Sequence, residues 1–110
     1  MQYPIVVKNL SKNYSNKAAV KNINFKINKN EILGLLGPNG CGKTTTIAMM
    51  LGLLKPTNGI VLIDGEDIEK NRIKLLHKMN FISPYIELPK KLTVKENLIV
   101  YGKLYGVKKV

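Results

Sequence analysis

Residues 37–44 read Gly37-Pro38-Asn39-Gly40-Cys41-Gly42-Lys43-Thr44 and match the pattern G-x-x-x-x-G-K-[ST]. Each position has a physical task. The glycines let the backbone turn where a side chain would block it, so that successive N–H groups converge on an anion. A helix starting at Lys43 adds its free N-terminal amides and the positive end of its dipole. Lys43 carries a full charge to the β- and γ-phosphates, and the Thr44 hydroxyl is placed to ligate Mg2+. The apolar run Ile32 to Leu36 leads into the segment, and Lys43 to Leu54 reads as a helix leading out. A plain glycine-rich connection is the competing reading, and this strand–loop–helix context argues against it.

The rest of the chain is polar and apolar by turns. Pro4 to Lys8 is a short β-branched run, followed by a polar stretch from Asn9 to Lys17. Val20 to Ile27 alternates with period two, as a strand wet on one face does. Ile32 to Leu36 carries no polar side chain, which predicts a strand covered on both faces. Lys55-Pro56-Thr57-Asn58-Gly59 is a stop, and Ile60 to Ile63 is a short strand closed by the hairpin dipeptide Asp64-Gly65. Asp67 to Lys78 is expected to be helical and Asn80 to Ser83 to be a short strand. Thr93 and Glu96 make a capping box for a helix to Tyr105, along which Val94, Leu98, Tyr101 and Tyr105 recur at spacings of four, three and four.

At 110 residues the chain holds at most one domain. Its longest apolar runs fall far short of the ~20 residues that cross a bilayer, and its first twenty residues show no signal-peptide core, so no secretory signal is expected. Cys41 is the only cysteine, which excludes an intramolecular disulfide and agrees with a reducing compartment. It is read as a small space-filling residue and His77, the only histidine, as structural or solvated. The net charge is +11, from 18 basic and 7 acidic residues. Every base but Arg72 is a lysine, and no run of five occurs. Bidentate phosphate and guanine recognition favours arginine, so a nucleic-acid partner is not expected.

The surroundings of the glycine loop resemble the ATP-binding-cassette (ABC) ATPases, the motor subunits of ABC transporters. The resemblance runs from about Ile5 to Tyr105. It rests on Asn9-Leu10-Ser11-Lys12-Asn13-Tyr14, on Ile32 through Thr45, on Met50-Leu51-Gly52-Leu53-Leu54-Lys55-Pro56-Thr57-Asn58-Gly59, and on Leu92-Thr93-Val94-Lys95-Glu96-Asn97-Leu98. It implies an α/β P-loop NTPase fold of which residues 1–110 are the N-terminal half: an antiparallel β subdomain, part of the P-loop core and the first helix of the helical subdomain. It implies ATP and Mg2+ as ligands. Tyr14 matches the aromatic that stacks on adenine, residues 37–45 the phosphate loop, Thr44 the metal ligand and Thr45 a second hydroxyl at the phosphates. It implies a peripheral place on the cytoplasmic face of the membrane, with a transporter membrane domain and a second nucleotide-binding domain as partners.

The resemblance also has gaps. The loop glutamine that links the metal to the membrane partner falls on Pro84, with Ser83 beside it. No signature motif, Walker B glutamate or switch histidine is found. Ile60-Val61-Leu62-Ile63-Asp64 matches a bare Walker B pattern, but Asp64-Gly65 is turn chemistry and favours a hairpin. The chain is therefore expected to bind Mg·ATP and hydrolyse it poorly, and to be sticky or partly molten alone. A non-catalytic or regulatory fragment that pairs with a full-length cassette is the alternative. Another P-loop enzyme is disfavoured, because two strand-like segments and Tyr14 precede the loop and no Asn-Lys-x-Asp motif follows.

Overall fold

Residues 2–38, 40–82 and 88–109 are described by the computed structural model, which separates into two units, Met1–Leu75 and Leu76–Val110. In the first, β1 (Ile5–Tyr14) and β2 (Lys17–Ile27) form a long antiparallel hairpin in which Val7 faces Phe25 and Tyr14 faces Lys17. Strand β1 thus runs on through the polar stretch that the sequence predicted as its end. Side chains make this possible. Where the register slips, the Asn9 amide donates to Asn24 Oδ1 and the Asn22 amide to Ser11 Oγ, both at 2.9 Å. The bulged backbone groups are therefore not left unpaired.

Strand β3 (Asn58–Ile63) pairs antiparallel with the other edge of β1, and β4 (Glu66–Asp67) with β3, giving the order β2-β1-β3-β4. Asp64 (φ 50) and Gly65 (φ 79) form the expected tight turn between β3 and β4. Leu62 faces Asp67 across it, which bears out the hairpin reading of residues 60–64. Val7, Leu10, Val20, Val61 and Ile63 are buried, with Met49 from α1 (Lys43–Met50) also in the core. Each such aliphatic side chain contributes about 1.5–3 kcal/mol on leaving water.

Three further expected elements of this unit are revised. Residues 31–38 form no strand, and Ile32 and Leu36 are 98% and 92% exposed. An apolar run favours burial, but a strand also needs a neighbour to pair with, and among the described residues the four-stranded sheet offers it none. Helix α1 stops at Met50 rather than Leu54. Gly52 (φ 71) donates to the Met49 carbonyl and Leu53 to that of Ala48, the paired bonds of a Schellman cap. Of Asp67 to Lys78, only α2 (Arg72–Leu76) is helical. Asp67 belongs to β4, and its Oδ1 accepts from the Glu69 amide at 2.9 Å, holding the next residues in turns.

The second unit is built on α3 (Val94–Leu104). Both bonds of the Thr93–Glu96 capping box are present. Asn97 is buried, and its side-chain amide donates to the carbonyls of Pro89, Leu92 and Thr93. Val94, Leu98 and Tyr101 of the helix and Tyr105 at its C-cap are exposed and line an apolar groove together with Phe81, Ile82 and Leu88. No strand forms at Asn80 to Ile82; Ser83, Pro84 and the rest of 83–87 lie outside the described residues.

Candidate functional site

Gly42 is where the loop meets the sheet. It is the N-cap of α1 at φ 100, and a Cβ added there would lie 2.5 Å from the Ala19 carbonyl oxygen of β2. Glycine alone tolerates both the left-handed backbone and so close an approach. It also brings no side-chain oxygen, and no side chain caps the helix. The amides of Lys43, Thr44 and Thr45 therefore have no acceptor within α1, and the positive end of the helix dipole coincides with them. Gly40 is left-handed too (φ 84), and a Cβ there would meet nothing within 4 Å.

These groups border a cleft of about 270 Å³. One wall is the tip of the β1–β2 hairpin, with Tyr14, Lys17, Ala18 and Ala19; the other is Gly40, Gly42, Lys43, Thr44 and Thr45. The size falls just below that of ligand clefts, which run from roughly 300 to 1,000 Å³. Tyr14 is 49% exposed. The Lys43 ammonium donates to the Gly37 carbonyl, and the Cys41 amide donates to that of Pro38 at 3.2 Å. Gly37, Pro38 and exposed Cys41 thus shape the loop without lining the cleft; Asn39 lies outside the described residues.

Two features escaped the sequence reading. Lys17, Ala18 and Ala19 enter the cleft because the hairpin turn puts Lys17 opposite Tyr14. Thr46, 1% exposed, donates from Oγ1 to the Gly42 carbonyl at 2.7 Å and secures the first turn of α1. The run Thr44-Thr45-Thr46 held that signal, since a threonine four residues after a carbonyl bonds back to it.

The donor set suits a triphosphate with Mg2+. Open amides and an ammonium meet anionic oxygens at a helix start, which needs no side-chain cage. Among the described residues no cluster of three or more His, Cys, Asp or Glu side chains stands ready for a metal. Mg2+ does not need one, because it commonly takes one or two protein oxygens and completes its shell with phosphates and water. Thr44 is exposed and lines the cleft.

A glycine loop opening on a helix beside an antiparallel sheet defines the N-terminal part of a P-loop NTPase of the ABC ATPase type. A solved ATP-binding subunit of an ABC transporter has the same fold, with a TM-score of 0.85 at 28% identity over 96% of this chain and 44% of that one. The ABC transporter family model matches residues 20–109, and the chain belongs to that family. It is 42% identical over 99 residues to the linearmycin resistance ATP-binding protein LnrL of Bacillus subtilis (strain 168), covering 90% of this chain and 32% of that protein. It is 41% identical over 103 residues to the bacitracin transport ATP-binding protein BcrA of Bacillus licheniformis, covering 91% and 33%. The chain spans from 18% to 33% of the length of the first curated relatives it matches. No helix among the described residues is long and apolar enough to cross a membrane.

Proposed function

We propose that residues 1–110 are the ATP-gripping portion of an ABC transporter nucleotide-binding domain, which powers passage of a substrate across a membrane. The observation that carries this is the shared cleft: the N-terminal end of α1 with Lys43, Thr44 and Thr45 faces the same space as Tyr14. The names of the relatives, both ATP-binding proteins, support the choice of nucleotide.

On this reading the amides of residues 42–45 hold the phosphates. The Lys43 ammonium exchanges the Gly37 carbonyl for phosphate oxygen, Thr45 adds a hydroxyl, and the Tyr14 ring stacks on adenine. Thr44 is the protein ligand to Mg2+, which when bound offsets phosphate charge. Among the described residues that line the cleft none is a carboxylate or an amide side chain able to orient water, so hydrolysis by this chain is poor. In the working transporter the domain sits on the cytoplasmic face, against a membrane domain and a second nucleotide-binding domain.

Thermal unfolding tests the reading. At a hundredfold excess of Mg·ATP over its dissociation constant the native state gains about 2.7 kcal/mol, and the midpoint rises accordingly. Lys43→Ala is expected to remove most of that rise, with phosphate release at background for both proteins. An unmoved midpoint in the unaltered chain overturns the proposal.

A further inference from the structure

We infer that Lys12 is a positioning residue for base recognition, an inference that rests on the nucleotide reading above. Its ammonium lies 5.3 Å from the centroid of the Tyr14 ring. Residues i and i+2 of a strand project to the same side, which brings the pair together along β1. The same ammonium donates to the Lys55 carbonyl at 2.8 Å. It is thereby tied at one end to the chain segment that follows α1 and set over the ring at the other.

That segment grips the end of β1 at two more points. The Thr57 amide donates to the Ser11 carbonyl and the Asn13 amide donates to Thr57 Oγ1, both at 2.9 Å. The residues flanking Lys12 are thus held by 55–57 on either side. A lysine with a free end samples many rotamers and loses them on forming a contact. Here the carbonyl bond has already restricted the side chain, so the cation is over the ring before any ligand arrives. Attraction between the cation and the ring's negative face fixes the ring's orientation. Tyr14 is half-exposed and lines the cleft; with one face of its ring taken by Lys12, a flat base stacks on the other. Lys12 does not itself line the cleft, so it acts on the base through Tyr14 and leaves the phosphates to the loop.

Calorimetric titration of the full chain with Mg·ATP and with Mg·tripolyphosphate, which has no base, separates the two contributions. Lys12→Met keeps the apolar stem and removes the charge. It is expected to weaken Mg·ATP about two- to fivefold, the equivalent of an exposed cation–π contact, and to leave Mg·tripolyphosphate unchanged. Lys12→Arg, which retains a cation over the ring, restores Mg·ATP affinity. Unchanged Mg·ATP affinity in Lys12→Met overturns the inference, as does an equal loss for both ligands. Failure of the unaltered chain to bind either ligand instead overturns the nucleotide reading itself.

Discussion

At the scale of single residues, Gly40 and Gly42 share a left-handed backbone but not its surroundings. An alanine at 40 would project into open space, whereas one at 42 would meet the Ala19 carbonyl. Gly40→Ala therefore incurs the conformational cost alone, roughly 1–2 kcal/mol. Gly42→Ala adds the clash with β2 and is expected to reach about 3 kcal/mol or more. Urea unfolding of the two variants checks this: equal losses of stability would mean that the loop does not press on β2. The motif fixes Gly42, whereas Gly40 falls on one of its open positions. That one is required by conformation and the other by contact as well was not legible, because the contact is with a residue more than twenty positions earlier.

At the scale of elements, the two longer helices are defined by their ends. Helix α1 is closed by the Gly52 Schellman pair and α3 is opened by the Thr93–Glu96 box. Glu96 accepts from the backbone amide and the hydroxyl side of Thr93, and these bonds hold its carboxyl below the usual glutamate range. A lowered pKa in the folded state means stabilisation that is present above the ordinary glutamate pKa and lost as pH falls through the lowered one. The helicity of α3 is accordingly expected to decline on acidification below about pH 4.3. Thr93→Ala should lower helix stability by about 1 kcal/mol, while Glu96→Gln, which removes the titrating carboxyl, should flatten that acid response. Circular dichroism between pH 2 and 7 on the order of half-unit steps reads both effects, and an acid transition of the same depth in Glu96→Gln would count against Glu96 as its source. This element was legible in advance, since a capping box is four consecutive residues.

At the scale of the whole chain, Ile32 and Leu36 are nearly fully exposed. Contiguous exposed apolar side chains promote dye binding and association. The chain is expected to enhance fluorescence of an apolar dye such as ANS at neutral pH, and Ile32→Lys with Leu36→Lys to reduce it while leaving the sheet intact. An undiminished signal would place the dye elsewhere. The helix start at Lys43, the Asp64-Gly65 turn and the α3 cap were determined by sequence alone, because each depends on neighbours a few positions away whose chemistry is fixed by residue type. The tertiary structure decided the rest. Strand β1 continues through Asn9 to Tyr14 because Asn24, Asn22 and Thr57 arrive from distant parts of the chain to bond it where the register slips. Residues 32–36 are no strand because pairing needs a second strand, and Lys17 enters the cleft because a two-residue turn folds it back beside Tyr14. Hydrogen-bond partners and burial are properties of what surrounds a segment in space, and a local run of residues carries only its demand for them.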